Sequence, residues 1–322
     1  MAMRHVPGLG DLLDRQSGLV TRAQLRDLGM PPGALRWALG KQWRAVLPSV
    51  ISTAGGNLTP AQRLVAALLH AGEGASLAGA TAAAWHGVTA AAGDPRVHVL
   101  VSGTRHPRDC GFVVVRRVSR PDGAPWVRGV LTVCSRPRAV VDAARAVPAA
   151  DQARAIVLEA VERRLVTPES LRHELETGPR RGSAQVRQAV GEAEAGAWSV
   201  PEADLLCLLA RSRRLSPVRA NPVLTAADGT RLPTPDVWID DVALAVQVHS
   251  RRWHAGALDW DRTVMSDGVF AEYGVVVVGV TPTAIRTAPD SVLARIERAY
   301  RAASARPRPP ILAGPAGRGS VA

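Results

Sequence analysis

Cysteine is scarce in this chain: Cys110, Cys134 and Cys207 are odd in number, far apart and never paired as CxxC. That usage excludes a cysteine-rich zinc site and a disulfide framework, and it sets a reducing, cytoplasmic location as the expectation. Lysine is scarcer still, since Lys41 stands alone among 40 basic residues, the other 39 being Arg. Long apolar runs are missing too. The longest, residues 275–280, has Gly279 inside it and is far shorter than the ~20 residues a membrane helix needs. Residues 1–10 lack the apolar stretch of a secretory signal, so no membrane role is expected. Acidic residues are outnumbered, 28 against 40, leaving a formal net charge of +12. Coding bias toward Arg accounts for Arg over Lys but not for the deficit of acids. A polyanionic partner follows, because guanidinium groups placed on phosphates release condensed counterions.

What is present divides into segments when turn-forming residues are used as punctuation. Residues 5–55 form a first domain, residues 56–175 a mixed α/β domain, residues 176–198 a connector and residues 199–302 a last α/β domain. Residues 303–322 are rich in Pro, Gly and Arg, lack an apolar period and are expected to be a disordered tail. The expected fold class is thus multidomain α/β.

The first domain reads as helix, helix, turn, helix, hairpin. Within residues 19–28, Thr21 can cap a helix, Ala23, Leu25 and Leu28 give its apolar side, and Gly29 ends it. Pro31 and Pro32 permit a new start. Across residues 33–41, Leu35, Ala38 and Leu39 fall at i, i+3 and i+4 and turn Arg36 outward, with Lys41 at the end. Residues 43–53 suit a β-wing, and Trp37 and Trp43 are expected to pack in the core or wing. Such a winged helix-turn-helix lays its second helix in the major groove, where an outward Arg donates twice to guanine. Arg36 is the candidate base reader, with Arg22, Arg26, Lys41 and Arg44 on phosphates. In the middle domain, helices are predicted over residues 60–70, 79–86, 137–146 and 152–164, and strands over 97–102 and 112–118. His70, His86, His98 and His106 lack metal-ligand spacing.

Taken in order, residues 18–53, the Ala-rich SLAGATAAAWHG at 76–87 and LTVCSRPRAVVDAA at 131–144 resemble AbiEi-like type IV antitoxins over residues 5–165. The resemblance implies a winged helix that binds operator DNA and represses its own operon, using Arg22, Arg26, Arg36 and Arg44. It also implies a second domain that helps neutralise a nucleotidyltransferase toxin.

The last domain is predicted as a helix over 199–213, strands over 217–224, 231–239 and 242–248, a helix over 258–271, a strand over 274–280 and a helix over 291–302. Asp228-Gly229 is the turn between the first two strands. This order resembles the restriction-endonuclease-like PD-(D/E)xK fold, in particular very-short-patch-repair endonucleases. Such nucleases gather carboxylates on adjoining strands to hold Mg²⁺. Here Asp236 lies on one strand and Gln247 on the next, followed by His249, Arg251, Arg252 and His254; Gln and His stand where the family pattern has acids. Glu202 and Asp261 fall at matching places. Neutral Gln and imidazole weaken a Mg²⁺ site, and Ser199-Val-Pro-Glu202 equally fits a capping box. Arg251 and Arg252 suit phosphate binding.

The leading expectation is therefore a DNA-binding regulator of double-stranded DNA, similar to type IV antitoxins, whose nuclease-fold domain is a pseudo-nuclease needing no cofactor. One alternative is a Mg²⁺-dependent endonuclease using Asp236, Gln247, His249, His254 and Glu202, with Asp236 and Gln247 on the metal. The other is a module that neutralises a toxin protein by binding it.

Overall fold

The computed structural model describes residues 6–103, 108–249 and 257–316, with the side chains of 257–264 and 316 outside the description. The chain is mixed α/β and divides into two compact units, Met1–Arg187 and Gln188–Ala322.

The first unit opens with helix α1 (Leu9–Arg15), strand β1 (Leu19–Thr21), helices α2 (Arg22–Asp27) and α3 (Pro32–Leu39), and strands β2 (Arg44–Leu47) and β3 (Val50–Ser52). Thr21 starts α2 through a capping box, its hydroxyl accepting from the Gln24 N–H while Gln24 returns to the Thr21 N–H. Gly29 leaves the helix at a φ of 77°, the left-handed exit that glycine makes without a Cβ clash. Ahead of that cap, Leu19–Thr21 is extended and pairs with Val50–Ser52. The gain is three strands in the order β1-β3-β2, antiparallel throughout. Beneath them Leu9, Val20, Leu25, Met30, Ala38, Trp43 and Ile51 close a small core.

Beyond it, helices α4 (Pro60–Ala71), α5 (Gly79–Trp85), α6 (Arg136–Ala146), α7 (Ala150–Glu162) and α8 (Pro168–Thr177) accompany a five-stranded sheet. Its strands, β4 (Ser76–Leu77), β5 (Val97–Ser102), β6 (Val113–Val118), β7 (Trp126–Arg128) and β8 (Leu131–Val133), run in the order β6-β5-β4-β8-β7. Of the four middle-domain histidines named above, three are described and hydrogen-bonded: His70 to Ser49, His86 to the Cys134 carbonyl and His98 to Asp94. His106 lies outside the described residues.

Inside this unit Arg138 is buried and spans two carboxylates, Asp142 at 2.6 Å and Glu174 at 3.4 Å, while Arg120 also meets Glu174. A guanidinium cannot shed its charge to escape burial, so it must be paired. Burial opposes the Arg138 charge, yet its proton is held more tightly than usual because Asp142 and Glu174 face it. Replacing Glu174 by Ala should leave Arg138 with Asp142 alone and cost ~1–3 kcal/mol of stability, read as an earlier denaturation midpoint of the first unit. An unchanged midpoint would show that water reaches Arg138.

The second unit contains the end of helix α9 (Ala184–Glu194), helix α10 (Val200–Leu209) and strands β9 (Val218–Ala220), β10 (Pro222–Ala226), β11 (Val237–Ile239) and β12 (Leu244–Val248). Helix α11 (Ala257–Glu272), strand β13 (Val276–Val280), helices α12 (Pro282–Thr287) and α13 (Pro289–Ser304), and strand β14 (Ile311–Ala316) complete it. The main sheet runs β13-β12-β11-β9, with β12 and β13 parallel and the other pairs antiparallel. Side chains alternate as a pleat demands. Val237, Ile239, Leu244 and Val246 pack with Leu205, Leu208 and Ile296 on one face, while Trp238 and Ala245 pack with Leu224, Phe270 and Val275 on the other.

Two expectations need correction here. The strand predicted over 217–224 is broken at Asn221, whose φ of 49° turns the chain, so β9 joins the main sheet and β10 joins a separate pair. The tail predicted to lack order supplies β14, which pairs with β10. Composition hid two local anchors: Ile311 is buried, and the Arg308 guanidinium donates to the Asp240 carbonyl and carboxylate and to the Ile311 carbonyl.

Candidate functional site

The first candidate is the outer face of α3. Ala38 is fully buried and Leu35 and Leu39 pack against the core beside it. With 3.6 residues per turn, this fixes Gly33, Arg36, Trp37 and Gly40 on the opposite, exposed side. The Arg36 and Lys41 side chains are exposed and have no hydrogen-bond partner among the described residues. Arg26 is 80% exposed and lies 3.9 Å from Asp27. Arg22 and Arg44 are exposed but partly engaged: Arg22 Nε donates to the Pro48 carbonyl at 3.1 Å and Arg44 Nη2 to the Gly56 carbonyl at 2.7 Å. These bonds tether the strand-to-strand turn and the loop after β3, leaving the remaining N–H donors outward.

Trp43 is buried as expected, but Trp37 is 51% exposed and belongs to neither core nor wing. The correction has a simple cause. Ala34 and Ala38 occupy the inward side of the helix, and an indole at position 37 points away from them. The sequence around this face carries one sign of charge: no Asp or Glu occurs from Leu28 to Gly72, whereas Arg36, Lys41, Arg44 and Arg63 do.

The second candidate is a carboxyl pocket in the other unit. Glu202 sits in the first turn of α10, buried, and three donors surround it: the Trp198 N–H at 3.0 Å, the Ser199 hydroxyl at 2.8 Å and Asn221 Nδ2 at 2.9 Å. The capping-box reading holds with a shift of one residue, since Glu202 reaches the N–H of Trp198 rather than that of Ser199. Asn221 joins the pieces. Its N–H donates to the Asp236 carbonyl, and its amide also donates to the Gly196 carbonyl at 2.8 Å.

Asp236 immediately precedes β11 and accepts from the Val248 N–H at 2.6 Å. Its carboxyl is pushed up to about 8, first by desolvation and then by the negative Glu202 nearby, with Asp267 adding to the effect. Gln247 is half-buried on β12, level with Gly279 of β13. Two residues further on, His249 lays its imidazole over Gly279 so closely that a Cβ there would fall 2.5 Å from Nε2. His249 Nε2 also lies 3.7 Å from Asp267 Oδ2, while Asp267 Oδ1 is buried without a hydrogen-bond partner. Desolvation raises the Asp267 carboxyl despite His249.

Asp267 was not a sequence candidate, because nothing in the α11 pattern separates it from an ordinary helix-face acid. Arg251, Arg252 and His254 lie outside the described residues, as does the side chain of Asp261. So Asp236, Glu202, Gln247 and His249 fall on adjacent elements of one unit, joined by Asp267.

This donor set does not suit Mg²⁺. Among the described residues, no group of three His, Cys, Asp or Glu side chains could hold a metal ion. Glu202 already accepts from three protein donors and Gln247 brings no charge, whereas hard cations want several ionised oxygens. Scanned against models of protein families and against curated proteins, the chain matches none. No helix of the described residues is long and apolar enough to cross a membrane.

The raised Asp236 carboxyl has a stability signature. Unfolded, the group ionises near its ordinary value of 3.8; folded, it holds its proton to about 8. Its favourable contribution is complete below pH ~4 and is lost as pH rises through ~8, with a limiting slope of ~1.4 kcal/mol per pH unit. Asp236→Asn should remove that loss, so the variant gains on wild type between pH ~4 and ~8 in denaturation of the full chain. Parallel stability profiles for the two proteins would show that Asp236 is ionised in the fold.

Proposed function

We propose that the chain is a DNA-binding regulator whose N-terminal segment acts as a winged helix, with α3 entering the major groove. The single observation that carries this reading is the exposed α3 face, with unpartnered Arg36 and Lys41 set in a stretch without acids. The strand order β1-β3-β2 behind two successive helices supports it, since the β2-β3 hairpin follows α3 in the chain as a wing would. Arg36 donates to a base edge, and Arg22, Arg26, Lys41 and Arg44 position the protein on phosphates. On this reading the second unit is a nuclease-like scaffold without metal-dependent cleavage; the poor Mg²⁺ donor set supports that part. The antitoxin resemblance adds autoregulation and a toxin protein encoded beside the gene as the partner.

The test is binding of the full chain to the duplex upstream of its own gene, followed by anisotropy over a salt series. About four phosphate contacts give a log–log slope of roughly −3 to −4. Arg36→Ala should weaken binding by ~1–3 kcal/mol and relax preference at one base pair, whereas Lys41→Ala should weaken all sequences alike. Unchanged affinity in Arg36→Ala would remove α3 as the reader. Cleavage of that duplex with Mg²⁺, abolished by Asp236→Ala, would instead favour an endonuclease.

A further inference from the structure

The exposed indole of Trp37 has no role in phosphate contact, and its place next to Arg36 asks for a partner that is both anionic and locally apolar. A protein partner meets the apolar requirement, but the acid-free stretch from Leu28 to Gly72 with its four cations selects an anionic one. A helix ~10–12 Å across enters the major groove and not the ~6 Å minor groove. On the major-groove floor the apolar feature of a base edge is the C5-methyl group of thymine. Resting on the DNA-reading role above, we propose that Trp37 reads a thymine methyl beside the base pair contacted by Arg36.

The geometry of α3 suits this. Arg36 and Trp37 are successive residues, 1.5 Å apart along the axis and ~100° apart around it, so both side chains reach neighbouring base pairs. Gly33 and Gly40 flank them on the exposed side, and a Cβ built at Gly33 would meet no atom within 4 Å. The missing side chains leave the two ends of the face bare, so only the guanidinium and the indole stand proud of the helix.

The experiment enriches a random duplex library on the full chain, then replaces each thymine of the enriched duplex by deoxyuridine, which deletes only the methyl. Wild type should lose roughly fourfold in affinity at one thymine, the fold-change that burial of one methyl group corresponds to. Trp37→Ala should bind the thymine and uracil duplexes equally, and Trp37→Phe should restore part of the difference. Thermal melting checks that both variants fold. Uracil without effect at every position overturns the inference while leaving DNA binding intact. Loss of a dimer in Trp37→Ala with the methyl preference kept would also overturn it, assigning the indole to self-association. Failure of any duplex to enrich would overturn the DNA-reading role itself and the inference with it.

Discussion

Burial of Ala38 is the constraint on which the candidate interface depends. Once that methyl group is seated against Val20, Leu25 and Trp43, the rotation of α3 about its axis is fixed. Arg36 and Trp37 then face outward as a consequence of helical pitch, with no further interaction needed to hold them there. The surroundings sharpen the effect. Arg22 and Arg44 each give one donor to a backbone carbonyl, which holds the turn and the loop on either side of the sheet and orders the rim of the basic face.

In the second unit the governing term is desolvation. Asn221 adopts a left-handed conformation that short amide side chains tolerate, and from there it bonds Glu202, Gly196 and the backbone of Asp236. Two acids are thereby drawn together out of water. Among the described residues, three donors meet Glu202 and the Val248 N–H meets Asp236, and burial beside Glu202 holds a proton on Asp236. Gly279 matters for a steric reason: the His249 ring occupies the space where any side chain at 279 would stand. Local bonding of this kind holds the carboxyl pocket together without a cation.

Local signals made most elements legible in the sequence. Thr21 and Gly29 bracket α2, β5 matches its predicted bounds, and the breaks near Pro60 and Gly79 mark the starts of α4 and α5. The errors fall where a distant partner decides. The short strand ahead of the Thr21 cap went unread because it exists only by pairing with Val50–Ser52, and residues 311–316 become a strand because β10 presents a free edge. The carboxyl pocket was half legible. Asp236 and Glu202 stand out by their spacing around strands, but Asp267 enters only because α11 carries it to His249. Trp37 was misread because aromatic side chains are usually assigned to cores, whereas periodicity alone already placed it beside Arg36.

The two candidate regions are opposite solutions to one electrostatic problem. Along α3 like charges are left in water, where screening makes their mutual repulsion small and a phosphate backbone can later neutralise them. Around Asp236 like charges are brought out of water, where repulsion is strong and one group must become neutral. An exposed cation is cheap to keep and useful to a polyanion, while a buried acid without a counter-ion is costly and poor at holding Mg²⁺. The same physics therefore leaves the α3 cations charged in water and holds a proton on Asp236 out of it.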